Sequence, residues 1–147
     1  MSATATGSPA AHTTTQPSKG LHIALWVVQV LLAAAFLMAG GMKLTAPIEE
    51  LAKNMAWVSA VPPGLVRFIG LSEVAGALGL ILPAATRIKP SLTGVAGAAL
   101  VVVMVLAIGM HISRGEYPFI GGPVVLAALS AFVAWGRLKK APIAPRA

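Results

Sequence analysis

Four apolar runs separated by short polar stretches organise this chain: roughly Leu21 to Met42, Leu65 to Leu82, Ser91 to Ile112 and Pro118 to Trp135. At about 1.5 Å of rise per helical residue, such runs reach across a hydrocarbon core of about 30 Å. The third is the cleanest, with no charged residue between Lys89 and His111, whereas the second and fourth are short and require thin membrane or little tilt. The connection from Leu44 to Gly64 is too long for a simple turn, and its LAKNMAWV stretch sets Leu51, Met55 and Val58 at helical spacing before Pro62 and Pro63 stop the helix. It reads as a short interfacial helix anchored by Trp57, with an ordered loop as the alternative.

The flanks differ in kind. Residues 1–20 are rich in Ala, Thr, Ser, Pro and Gly, lack bulky aliphatic and aromatic side chains, and read as a disordered polar tail. Lys19 before an apolar run also suggests a signal peptide, but the run continues through Phe36, Leu37 and Met38, past the length of an h-region, which favours a retained membrane helix. The membrane domain is placed at 21–137, followed by a basic, proline-broken tail at 138–147.

Composition agrees: 57% of residues are hydrophobic and 10% charged, with a mean hydropathy of +0.85. A soluble domain does not carry such a surface, so the expected fold is an all-α, integral membrane four-helix bundle. The absence of cysteine removes disulfides, thiolate metal sites and Cys-ligated iron–sulfur clusters. The net charge of +7 does not indicate nucleic acid, because the basic residues flank the spans instead of forming one face interleaved with aromatics. They report topology. Lys19, Arg87, Lys89, Arg137, Lys139, Lys140 and Arg146 fall on the terminal side with no acidic residue, and Lys43, Lys53, Arg67 and Arg114 share the other side with Glu49, Glu50 and Glu116. Both termini are therefore expected in the cytoplasm, and the chain in the inner (plasma) membrane.

Glu73 is the one acidic side chain inside an apolar run, and a carboxylate there must face protein or water, find a partner or stay protonated. Gly70, Gly76 and Ala77 share its helical face, while Leu71, Val74, Leu78 and Ile81 form the opposite, lipid-facing stripe. Arg67 lies too far round the helix to pair with it and is expected to snorkel to headgroups. Gln29, Ala33, Gly40 and Lys43 form a small and polar stripe on the first span, and Gly97, Met104 and His111 another on the third. Antiparallel alternation puts Lys43, Glu73 and His111 in the same half of the bundle. The candidate is a polar pocket with Glu73 deepest, Lys43 and His111 near the mouth, Gln29, Gly40, Gly70 and Met104 along its walls, and Glu116 and Tyr117 of GEYPFIGGP beside the opening. A structural ion pair that fixes helix register carries equal weight. No metal site is expected: His22 and His111 fall at opposite ends, and Met38 and Met42 face away from Gln29 and Lys43.

The runs ALWVVQVLLAAAFLMAGGMKL and RFIGLSEVAGALGLILPA, a third span ending in HISRGE and a last ending in FVAWGR together resemble the DoxX-like family of small four-helix membrane proteins over about Leu21 to Arg137. The resemblance implies the family's lysine after the first helix, glutamate in the second and histidine closing the third at Lys43, Glu73 and His111. EYPFIGGP departs from the asparagine-containing stretch of many relatives. It further implies membrane redox metabolism, since some relatives are thiosulfate:quinone oxidoreductase subunits and others associate with redox-defence enzymes.

Three readings follow. The first is an accessory subunit that docks an oxidoreductase or gives it access to quinone. The second is an enzyme using Glu73 and His111 as acid and base on a lipid-soluble substrate. The third is a non-enzymatic scaffold packed through its glycine-rich faces, homo-oligomerisation included, within the lipid bilayer.

Overall fold

The computed structural model describes residues 16–147. Most of the tail expected at 1–20 lies outside the described residues; Ser18 caps the first helix, its Oγ accepting the Leu21 amide at 3.2 Å. The elements of the described chain are all helical: α1 (Lys19–Thr45), α2 (Ile48–Asn54), a 3-10 turn (Ala56–Ala60), α3 (Pro63–Thr86), α4 (Ser91–Ser113), a 3-10 turn (Tyr117–Phe119), α5 (Gly121–Trp135) and a π turn (Gly136–Lys140). Four stretches, of 27, 24, 23 and 24 residues, are long and apolar enough to span a membrane. The protein is thus a multi-pass membrane protein with a four-helix bundle.

The second and fourth spans are longer than the sequence pattern suggests. Pro83 does not end α3, which runs on to Thr86. A proline so near the end removes one bond, that to the Gly79 carbonyl, and leaves the rest of the turn intact. The fourth span continues past Trp135 because Gly136 admits Leu25 against its backbone and Arg137 turns inward to Gln29. Neither helix demands a thinned bilayer.

Helix α1 packs on α3, α3 on α4, α4 on α5, and α5 back on α1. On α1 the buried residues Leu25, Gln29, Leu32, Ala33, Phe36, Gly40 and Lys43 recur every three or four positions, forming one inward stripe. Leu32 and Phe36 meet Ala77 and Leu80 of α3, Leu100 and Met104 of α4 and Val133 of α5. Leu31, Met38, Leu71, Leu78, Val102 and Leu106 form an exposed apolar exterior. In lipid such side chains lose nothing by facing out, so packing of small residues supplies the association between helices.

The short helix ends sooner than its spacing predicts. Met55 leaves helical geometry at φ −131°, ψ 89°, and a 3-10 turn follows. The break swings Trp57 inward, and Trp57 packs with Leu51, Val58 and Val66 in a small core of its own instead of anchoring an interface. This unit closes one end of the bundle.

Candidate functional site

The site begins with two glycines. A Cβ on Gly40 would stand 2.7 Å from the Gly70 carbonyl oxygen, and one on Gly70 would stand 2.8 Å from that of Gly40. Helices α1 and α3 therefore touch backbone to backbone. One turn on, the Lys43 Nζ donates to both oxygens of Glu73, at 3.0 and 2.8 Å. Both residues are buried, at 7% and 3% exposure. Close approach of the backbones lets a long and a short charged side chain meet in bidentate fashion inside the bundle.

Arg67 does not snorkel. Its Nη1 donates to the Lys43 carbonyl, one of the last four carbonyls of α1, which have no partner within their own helix. A cation is favoured at that negative end of the helix dipole, which is why the side chain turns in. The same contact fixes the backbone from which the lysine of the ion pair projects.

His111 is positioned by the end of its own helix. Gly115, at φ +70°, is the left-handed residue of a Schellman motif: its amide donates to Ile112 and the Glu116 amide to His111. The reversal folds Glu116 over the last turn, so that its carboxylate meets His111 Nδ1 at 2.9 Å and accepts from Arg114 Nε at 2.7 Å. Phe119 stacks on the imidazole with ring centroids 6.2 Å apart.

The Arg114 hydrogen bond, and after it that of His111, hold the Glu116 carboxyl below its usual value of 4.5. A carboxyl with a lowered folded-state pKa contributes order that is fully present above its unfolded value and is lost as pH falls through the lowered one. Protection of the Glu116 amide, corrected for intrinsic exchange, is therefore expected to be flat down to about pH 5 and to fall on further acidification. In Glu116→Gln this acid-dependent loss should be absent, and an unchanged profile in that variant would contradict the assignment.

A cavity of about 710 Å³ lies between α3, α4 and the start of α5, beneath the short-helix unit. Its walls are mostly apolar, including Phe68, Ile69, Val103, Met104 and Ala107, and its polar groups include Lys43, Ser72, His111 and Glu116. Phe68 and Leu106 also belong to the exposed apolar exterior, at 65% and 68%. The cavity therefore reaches the lipid-facing surface between α3 and α4.

Of the residues singled out in the sequence, Lys43, Met104, His111 and Glu116 line this space. Glu73 does not form its wall; it stands behind Lys43, which both lines the cavity and holds the carboxylate. Gly40 and Gly70 form the helix crossing beside the pair. Tyr117 is 65% exposed and is not part of the wall. Gln29 is also elsewhere: its Nε2 donates to the Leu80 carbonyl at 2.7 Å and its Oε1 accepts from Arg137 Nε at 2.6 Å, at the end of the bundle that holds the termini. Sequence reasoning missed Ser72, Asn54, Lys53 and Trp57 on the cavity wall. Ser72 was within reach of helical arithmetic, being four residues from Phe68 on the face next to Glu73; Lys53 and Asn54 close α2, and Trp57 follows the break at Met55, which no local signal marks.

Among the described residues no group of three or more His, Cys, Asp or Glu side chains could hold a metal ion. Residues 27–133 match the family model described as the DoxX-like family. No curated protein and no solved structure matches the chain.

Proposed function

The chain belongs to the DoxX-like family, and from that premise we propose that it is a quinone-access subunit of a membrane redox system, holding a lipid-soluble ring in the α3–α4 cavity. The observation that carries this reading is the cavity itself: apolar, reached from the lipid-facing surface, and supplied with a donor at Lys43 and an acceptor at His111. Its volume of about 710 Å³ suits a substituted ring with part of an isoprenoid tail. Lys43 Nζ has a third hydrogen, beyond the two given to Glu73, for a ligand carbonyl, and His111, donating through Nδ1 to Glu116, leaves Nε2 as an acceptor for a ligand hydroxyl. The chain's own residues bind and orient the ring; a partner oxidoreductase supplies the electrons.

Binding is favoured over acid–base turnover because neither carboxylate is free. Glu73 has both oxygens on Lys43, and Glu116 has one on Arg114 and one on His111. Extraction of the protein in mild detergent, followed by solvent extraction of what it carries, is expected to yield quinone with the wild type. Ala107→Phe, which fills the cavity wall without touching the ion pair, should carry several-fold less. Equal amounts from both, or none from the wild type, would remove this reading.

A further inference from the structure

Arg137 is a buried charge that no carboxylate answers. It is 1% exposed, yet it forms no salt bridge among the described residues. Its Nε donates to Gln29, its Nη1 donates to the Ala141 carbonyl and lies 3.1 Å from His22 Nδ1, and its Nη2 is buried with no partner among the described residues. The chain has four acidic side chains in all, Glu49, Glu50, Glu73 and Glu116, and none lies at the end of the bundle that holds Arg137. Three of them are already paired, with Lys53, Lys43, and Arg114 plus His111. The Trp26 ring, 5.6 Å from the guanidinium carbon, offsets part of the charge; a buried cation without a full counter-charge is costly, and an anion bound from outside the chain would supply it.

A place for it adjoins the arginine. A cavity of about 360 Å³ is walled by Arg137 together with Lys89, Ser91, Leu92, Pro142 and Ile143. Helix α4 starts at Ser91 without a capping side chain; the Leu92 and Thr93 amides donate to Lys89 and Pro90, and Pro90, Ser91 and Leu92 put the positive end of this 23-residue helix on the cavity wall. The C-terminal segment is tied across it, Arg87 Nε donating to the Ala144 carbonyl and the Arg146 amide to the Arg87 carbonyl, each at 3.0 Å. These groups sit where α3 ends, α4 begins and the fourth span closes, the level of bilayer headgroups.

We propose that this cavity binds a phosphate group, with Arg137 and Lys89 as its cationic partners and the start of α4 as a third source of positive potential. The phosphate belongs either to an anionic lipid headgroup or to free phosphate. Native mass spectrometry of the full chain, offered equal phosphatidylglycerol and phosphatidylcholine, separates the two from each other when paired with a titration of thermal stability by inorganic phosphate. The test variant is Lys89→Asn, since asparagine accepts the left-handed φ of 45° found there; Arg137→Gln is the second.

With a lipid source, the wild type retains phosphatidylglycerol preferentially and Lys89→Asn loses about tenfold of that preference, the scale of one charge-assisted hydrogen bond. With a free source, inorganic phosphate raises the midpoint of the wild type and not that of the variants, with no lipid preference. Either result supports the site. If the wild type shows neither, or if Lys89→Asn behaves as the wild type in both, the proposal is overturned whether or not Arg137→Gln folds.

Discussion

Glu73→Gln alone is expected to destabilise the protein by about 3–5 kcal/mol, among the largest losses any single substitution should produce here. The reason is the orphaned ammonium. Lys43 is buried and both of its hydrogen bonds end on this carboxylate, so removing the charge of one partner strands the other inside the bundle. Lys43→Met should cost a similar amount for the converse reason. The double replacement Lys43→Met with Glu73→Leu should recover most of the loss, since a buried pair replaced by apolar groups of similar volume is often neutral or better. Reversible unfolding in detergent–lipid mixtures, read as a double-mutant cycle, measures the coupling. Additive losses in the double variant would mean that the two side chains do not depend on one another.

Gly40→Leu and Gly70→Leu are the second large effect. A side chain at either position collides with the carbonyl of the opposite glycine, and backbone cannot move aside as a flexible side chain can. Separation of α1 from α3 also draws Lys43 away from Glu73, so the cost should exceed the ~1–3 kcal/mol typical of overpacking. Gly41 is the internal comparison, because a Cβ there meets nothing within 4 Å. Gly41→Leu should leave stability nearly unchanged, and a loss equal to that of Gly40→Leu would assign the effect to helix flexibility instead of to the crossing.

The four spans, the inward face of α3 and the stripe Ala33, Gly40 and Lys43 were legible in the sequence because they rest on helical periodicity alone. Periodicity fixes which face a residue occupies but not which neighbour it meets. Gln29 shares a face with Lys43, yet fourteen residues separate them, about 21 Å along the helix. It therefore serves the opposite end of the bundle, with Arg137. His111 reads as a partner for Glu73 until the left-handed Gly115 folds Glu116 back onto it. Arg67 was misread because distance along α3 was weighed without the open carbonyls at the end of α1. Trp57 turned inward for a reason that lies in a single dihedral pair at Met55.

The reading of the larger cavity as a quinone site is tested most directly through Trp57, which forms part of its wall. With Trp26 and Trp135 replaced by Phe, Trp57 becomes the sole indole, and a short-chain quinone analogue is titrated into the protein in nanodiscs while its fluorescence is followed. Saturable quenching that Ala107→Phe abolishes is the predicted result. Quenching that rises without saturation, to the same extent in both proteins, would show that the ring merely partitions into lipid and that the cavity does not hold it.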